Sequence, residues 1–148
     1  MTPMRTDPVD QLDSATSEPR LVRVPPMSFL SSEGRGDPSG PDFTVAVRAL
    51  FSVAYAMKVA VKRAYAQDIA VPRLESQWWA DDMSTFTAAR RSQWRWTAMV
   101  RQPDLVTADL ARSVIAAVQS KRPDLQVGDL RMVRLDEGPA AQVMHIGP

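Results

Sequence analysis

One stretch decides the fold: residues 41–64, which read PDFTVAVRALFSVAYAMKVAVKRA. Apolar residues recur along it at alternating steps of four and three, the spacing of one face of an amphipathic helix. That stripe consists of Phe43, Val47, Leu50, Ala54, Met57 and Val61. Pro41 suits the first turn of a helix, because the N–H that proline lacks would have no partner within the helix there. Asp42 suits the same turn, because its carboxylate lies at the positive end of the helix dipole. We therefore predict one long helix over this stretch.

Short strands are predicted ahead of the helix. Residues 21–24 and 27–30 are apolar runs separated by two prolines, which indicates a bend or an edge position. Residues 32–40 are rich in glycine, serine, proline and aspartate and are predicted to form a loop. The first 19 residues are rich in proline and acidic side chains and show no periodicity. We predict a disordered leader over 1–19 and one folded domain over 20–148.

Two more strands are predicted after the helix. Residues 69–80 alternate between two faces, so Glu75 and Trp79 share one face and Trp78 points to the other. Residues 93–102 form the next strand, with Trp96 on its apolar face. The polar segment 81–92 between them is predicted as a loose turn or short helix.

The last third of the chain predicts a second helix and a hairpin. Thr107 is a plausible N-cap, and the helix ends at Lys121-Arg122-Pro123. Residues 129–135 and 140–146 are predicted as strands joined by a tight turn. Strands far apart in sequence with helices inserted between them favour an α+β fold with an antiparallel sheet over a doubly wound one.

Composition narrows the classes of function. The net charge of +1 argues against a nucleic-acid-binding surface, and the absence of cysteine excludes disulfides and thiolate chemistry. With a single histidine, no metal site is expected, and no motif for a cofactor occurs. The first residues do not form a secretion signal, and no uninterrupted apolar run has the length of a membrane span. We therefore expect a cytoplasmic protein with no membrane partner.

The candidate site is a cluster of aromatic side chains and one acid. All four tryptophans lie within 19 positions, on two predicted neighbouring strands that also carry Glu75. Indole faces with a nearby carboxylate can hold a lipophilic molecule, including an organic cation. The alternative is that the tryptophans are plain core and that Glu75 points to solvent or pairs with an arginine, namely Arg73, Arg95 or Arg101. Composition and spacing assign no catalytic residue.

Several separated motifs resemble one family. They are Met27–Leu30 with Gly34–Pro38, Ala49–Lys58, Leu74-Glu75 with Trp78–Met83, Trp94–Thr97 with Arg101–Asp104, and Gln142–Pro148. Together they resemble the stand-alone GyrI-like small-molecule-binding domain proteins, which are related to the effector-binding domains of multidrug-sensing transcription activators. The sequence departs from the family pattern at Ser76-Gln77 and in ending early in the second half of the pattern.

The resemblance implies a duplicated strand–helix–strand–strand fold with an incomplete second repeat and a ligand cleft between the halves. It implies that Glu75 is the acid of the pocket and that Tyr55, Trp78, Trp79 and Trp96 are candidate walls. The function implied first is binding of a small hydrophobic molecule, with cations among the candidates. A hydrolase acting on cyclopropane-bearing electrophiles and a non-functional remnant are the alternatives. A second copy of the chain is expected to complete the pocket.

Overall fold

The computed structural model describes residue 12 and residues 14–146. Most of the predicted leader, residues 1–11 and 13, lies outside the described residues, as do residues 147 and 148 of the last motif. The chain divides into two compact units. The larger unit runs from Ser28 to Val133, and the smaller one combines the described residues before Ser28 with those from Arg134 to Ile146.

The described part of the chain contains helices and antiparallel strands, as predicted for an α+β fold. The elements are β1 (Arg20–Val24), β2 (Met27–Arg35), α1 (Pro41–Tyr65), β3 (Glu75–Trp79), β4 (Arg95–Gln102), α2 (Ala108–Lys121), β5 (Arg131–Leu135) and β6 (Gly138–Gln142). Two short 3₁₀ turns, Met83–Thr85 and Ala88–Gln93, connect β3 to β4. The predicted duplication of a four-element repeat stays a prediction.

The larger unit is built on a four-stranded sheet with the order β3-β4-β2-β5. Strand β4 lies antiparallel to both β3 and β2, with Leu30 opposite Val100 and Ser76 opposite Ala98. Leu30, Ala98 and Val100 belong to one core cluster with the buried residues of both helices. One face of the sheet therefore packs against the helices.

Helix α1 confirms the prediction made from its periodicity. It begins with Pro41 in its first turn and ends at Tyr65, one residue past the predicted end. Its buried residues are Ala46, Ala49, Leu50, Val53, Ala54, Met57 and Val61. Ala66 stops the helix in a left-handed conformation, with φ 54°, and donates its N–H to the carbonyl of Lys62 at 3.0 Å.

Helix α1 is long enough to raise the question of whether it could span a membrane. By length and composition alone it is the one helix among the described residues that could cross a membrane. Its apolar stripe is instead buried in the core of the larger unit, where Leu50, Val53 and Met57 are fully buried. The arrangement is that of a core helix in a soluble-type α+β fold, and the cytoplasmic location stays a prediction.

Several strand boundaries differ from the predictions, and β6 covers Gly138–Gln142 where residues 140–146 were predicted. Strand β2 continues to Arg35, so the predicted loop at 32–40 begins only at Gly36. Pairing with β4 overrides the local turn signals there, because Ser32 and Glu33 lie opposite Ala98 and Thr97. Strand β3 covers only Glu75–Trp79 of the predicted residues 69–80. Residues 69–74 precede the paired strand and include Pro72, which has no N–H to donate to a ladder.

The predicted C-terminal hairpin is wrong. Both strands exist, but β5 is a neighbour of β2, whereas β6 pairs with β1. Only Asp136 and Glu137 separate β5 from β6, and Gly138 follows with φ +64°. A turn signal predicts a local change of direction but does not choose the partner strand, and here each strand pairs with a strand from the first part of the chain.

The smaller unit is a two-stranded ribbon formed by β1 and β6. Arg20 lies opposite Gln142, and its guanidinium donates to the Gln142 Oε1 at 3.0 and 3.1 Å. Beyond the paired residues, the Met144 N–H donates to the Thr16 carbonyl at 2.6 Å. The segment before β1 therefore continues alongside the residues that follow β6.

A close approach between β2 and β4 places the central tryptophan of the core. Gly34 lies opposite Trp96, and the indole lies directly over the Gly34 Cα. A Cβ at position 34 would come within 2.2 Å of Cζ2 and 2.5 Å of Cη2 of Trp96. Because Trp96 is only 2% exposed, its ring has little room to move aside. Glycine at position 34 is therefore required by space, not by backbone conformation.

We expect Gly34→Ala to lower the free energy of unfolding by about 1–3 kcal/mol, the usual cost of overpacking a core. Urea unfolding monitored by circular dichroism measures this. The matched control is Gly128→Ala, because a Cβ at position 128 meets nothing nearer than 3.7 Å, the side chain of Gln119. Equal effects of the two substitutions would contradict the steric explanation.

The N-terminus of α2 gives a second test. Thr107 caps the helix as predicted, accepting the Leu110 N–H on its Oγ1 at 3.1 Å. Thr107→Ala should therefore cost about 1 kcal/mol of unfolding free energy. Thr87 is the control, because it holds the same position before a 3₁₀ turn without a side-chain capping bond. Thermal unfolding should show a lower Tm for Thr107→Ala and little change for Thr87→Ala.

Candidate functional site

Strand β3 presents different side chains on its two faces, as its alternation predicts. Trp78 lies opposite Trp96 on the face that packs against α1, and its ring lies 5.0 Å from that of Phe43. Glu75 and Trp79 are odd-numbered positions of the same strand and therefore point to the other face. The prediction that Trp79, and not Trp78, shares a surface with Glu75 is in accord with this geometry.

Glu75 lies beside an arginine on the neighbouring strand. Its Oε2 is 3.8 Å from the Nε of Arg101. Met99 lies directly opposite Glu75 on β4, and Arg101 is two residues further along that strand. The Arg101 side chain is 16% exposed and that of Glu75 is 43% exposed. Of the three arginines considered from the sequence, Arg101 is thus the one with an ion pair to Glu75. The Glu75 side chain is partly exposed although its Oε2 is buried, and the guanidinium is largely buried.

Trp79 extends this surface along the two strands. It lies opposite Arg95, whose Nε forms an ion pair with the Asp81 carboxylate at 2.7 Å. Trp79 is partly buried, and Gln77 separates it from Glu75 on the same strand. We call the surface formed by Glu75, Trp79, Arg95 and Arg101 the Glu75 face. It combines an indole with two carboxylate–guanidinium pairs, counting Asp81.

The other tryptophans form an aromatic cluster on the helix side of the sheet. The Phe43 ring lies 5.1 Å from that of Trp96, and the Trp78 ring lies 6.1 Å from that of Trp94. Trp94 also stacks on Phe86 at 4.5 Å. Offset and edge-to-face contacts of this kind stabilise a core beyond the area they bury. For Trp78 and Trp96 the structure thus shows a packing role on the opposite side from Glu75.

Tyr55 stands apart from both groups. It lies on α1, off the buried stripe, and is 60% exposed. The structure therefore distributes the five predicted site residues over three places: Glu75 with Trp79, Trp78 with Trp96, and Tyr55 alone on the helix surface.

A cavity that the sequence did not indicate lies within the larger unit. It holds about 130 Å³ and is lined by Ser32, Glu33, Asp42, Val45, Ala46, Trp96, Gln126 and Asp129. Trp96 is the predicted site residue that reaches it. The acids Asp42 and Asp129 are 87 positions apart in sequence, so no local pattern could have brought them together. Among the described residues no cluster of acids and histidine is arranged to hold a metal ion.

The acidic pair after β3 has a structural role. Asp81 pairs with Arg95, and Asp82 caps the first 3₁₀ turn by accepting the Ser84 N–H on its Oδ1 at 3.0 Å. The Ser84 hydroxyl, and then the Ser84 N–H, hold the pKa of the Asp82 carboxyl below its ordinary value. These hydrogen bonds favour the charged form.

We expect carbon-detected NMR to give Asp82 a pKa below the ordinary 3.8 of an aspartate. Because the folded pKa is depressed, the contribution of Asp82 to stability is present above the unfolded pKa and is lost as the pH falls through the folded pKa. Ser84→Ala removes the hydroxyl and should raise the pKa of Asp82, whereas Ser92→Ala, an exposed serine elsewhere in the same connection, should not. An unchanged pKa in Ser84→Ala would contradict this origin of the shift.

Comparison with known proteins identifies close structural relatives in Listeria innocua. An uncharacterized conserved protein is 33% identical with a TM-score of 0.87, and the match covers 94% of this chain and 69% of that one. A protein described as a hydrolase is 32% identical with a TM-score of 0.81, over 95% of this chain and 68% of that one. Another structure described as a hydrolase is 33% identical with a TM-score of 0.84, and the match covers 94% of this chain and 69% of that one. No family model and no curated protein matches the chain.

Proposed function

Because this chain belongs to the same family as these Listeria innocua proteins, two of which are described as hydrolases, we propose that it binds a small hydrophobic organic molecule on the Glu75 face. The observation that carries the proposal is the partly exposed Glu75 side chain, held beside Arg101 on the same face as the Trp79 indole. An indole offers a flat apolar surface, and a nearby ion pair offers directed polar contacts.

The charge of the preferred ligand follows from Arg101. A lone carboxylate beside an indole would select cations. Here the Arg101 guanidinium, 3.8 Å from Glu75, offsets that charge, and Arg95 does the same for Asp81 at 2.7 Å. The four charges sum to zero, so the Glu75 face is suited to neutral hydrophobic molecules at least as well as to cations.

The first experiment is a tryptophan-fluorescence titration with two planar dyes of similar size, one neutral and one cationic. We expect saturable quenching by both, and we expect Trp79→Phe to remove most of it. Arg101→Met should strengthen binding of the cationic dye by about tenfold, the effect of 1.4 kcal/mol, because it leaves the Glu75 charge without its counter-ion. Glu75→Gln should weaken binding of the cationic dye by a similar factor.

The control variant is Glu137→Gln, which removes an exposed carboxylate from the turn between β5 and β6. It should bind both dyes as the wild type does. Absence of saturable quenching in folded wild-type protein would refute binding on the Glu75 face. Quenching that is insensitive to Trp79→Phe and Glu75→Gln would place the ligand elsewhere.

Hydrolysis is the second candidate function, and the two relatives described as hydrolases favour it. Glu75 is the residue of the Glu75 face able to accept a proton from an attacking water, the role of a general base. Incubation with a cyclopropane-bearing electrophile should then yield a product heavier by one water, detected by mass spectrometry. Glu75→Gln should reduce the rate by about 10²–10⁴-fold, and Glu137→Gln should not.

The oligomeric state is part of this proposal. We propose that a second copy of the chain completes the binding surface, and that no nucleic acid or membrane takes part. Size-exclusion chromatography with light scattering, with and without the neutral dye, measures this directly. A dimer that becomes more populated with dye supports it, and a monomer that binds dye saturably contradicts it.

A further inference from the structure

Strand β3 lies at one edge of the four-stranded sheet, and its outer side is open to another strand. The sheet has the order β3-β4-β2-β5, so within the described residues β3 pairs with β4 alone. The backbone N–H and C=O groups that point away from β4 form a row that a further strand can pair with. Gln77, the middle residue of β3, is exposed.

The two edges of this sheet differ in the residues that discourage further pairing. Edge strands of monomeric proteins commonly carry basic side chains or proline, which keep other strands away. Strand β5 has two exposed arginines, Arg131 and Arg134, among its five residues. Strand β3 reads ESQWW, with neither a basic residue nor a proline. The β3 edge is therefore the one suited to accept another strand.

Within one copy of the chain, the two residues that carry the proposed binding surface are far apart. Glu75 and Trp79 are four positions apart on β3, which separates their Cα atoms by about 13 Å at roughly 3.3 Å per residue. Gln77 lies between them on the same face, so a small molecule stacked on the indole reaches the carboxylate only past Gln77. A residue directly opposite on a neighbouring antiparallel strand lies much nearer, at about 4.5–5.5 Å between Cα atoms.

We propose that a second copy of the chain adds its own β3 antiparallel to this edge, with a two-fold axis at Gln77. This register places Glu75 of each copy directly opposite Trp79 of the other. Directly opposite residues point to the same face of a sheet, so each carboxylate gains an indole on the side away from Arg101. The ligand site shared by two copies rests on the function proposed for the Glu75 face, whereas the strand pairing does not.

The sequence of β3 is complementary to itself in this register. The two Glu75 carboxylates lie at opposite ends of the paired strands, about 13 Å apart along them, so their mutual repulsion is weak. On the other face the small Ser76 lies opposite the bulky Trp78 of the second copy. Gln77 meets Gln77 at the axis, where each amide can both donate and accept a hydrogen bond. Each copy thus uses the same residues, as a two-fold interface requires.

The size of this interface sets the strength of the dimer. Strand β3 contributes five residues from each copy, and small interfaces are typical of weak, transient association. A ligand held between Glu75 of one copy and Trp79 of the other binds the dimer and not the monomer, so it stabilises the dimer. We therefore expect a dimer that forms at high protein concentration and becomes more populated when ligand is bound.

Cysteine cross-linking of the full-length protein tests the register, because the chain has no cysteine of its own. Gln77→Cys places two thiols opposite each other across the axis, where a Cα separation of about 4.5–5.5 Å is within the reach of a disulfide. Mild oxidation should convert most of this variant to a covalent dimer, seen by non-reducing electrophoresis. The controls are Ser76→Cys, whose two copies would lie about 7–8 Å apart, and Glu137→Cys, outside β3. Both should stay largely monomeric.

A charge substitution tests the same edge without a cross-link. Gln77→Lys places two like charges directly opposite each other and should weaken dimerisation by about threefold to tenfold, measured by analytical ultracentrifugation. Gln67→Lys adds the same charge at an exposed glutamine before β3 and should leave dimerisation unchanged. Circular dichroism checks that both variants are folded. Equal dimerisation of the two variants would contradict pairing at Gln77.

The covalent dimer then separates the strand pairing from the ligand site. At a dilution where wild-type protein is monomeric, oxidised Gln77→Cys should still show saturable quenching by the neutral dye, and the reduced form should not. Cross-linking of Gln77→Cys without dye binding would refute only the function of the Glu75 face. Equal dye binding by the reduced monomer would overturn the shared site. Cross-linking of Gln77→Cys no stronger than that of its controls would overturn the strand pairing.

Discussion

The contact between the Trp96 indole and the bare Cα of Gly34 is the constraint on which the larger unit depends. The ring can lie across the neighbouring strand only because no side chain stands there. In that position it meets Phe43 at the beginning of α1, and through Phe43 it meets Trp78 on the edge strand. Sheet register, the position of the long helix and the placement of β3 are thus linked through one aromatic side chain.

The features that local chemistry determines could be predicted from the sequence. The period of α1 and the threonine cap of α2 each depend on residues a few positions apart, and both are as predicted. Pairing between distant strands could not be predicted in this way. The turn around Gly138 is real, but β6 lies against β1, which is more than 110 positions earlier in the chain. Likewise, Ser32–Arg35 has the composition of a loop but is held in β2 by its partners on β4.

The candidate site shows the same division. Alternation along one strand was enough to place Glu75 and Trp79 on one face and Trp78 on the other. The choice of Arg101 among three nearby arginines required the register between β3 and β4. The grouping of Asp42 with Asp129 required the whole larger unit. For Trp96, the position on the apolar face of a strand could be predicted from the sequence. The neighbouring Asp42 and Asp129 could not be predicted, because they come from distant segments of the chain.

The ribbon of β1 and β6 has a mechanical consequence. Because the strands are antiparallel, Thr16 and Met144 leave the ribbon at the same end, joined by a backbone hydrogen bond. Tension applied between these two points loads the rungs of the ladder one after another instead of all together. The ribbon therefore opens from the Thr16 and Met144 end, one pair of residues after another.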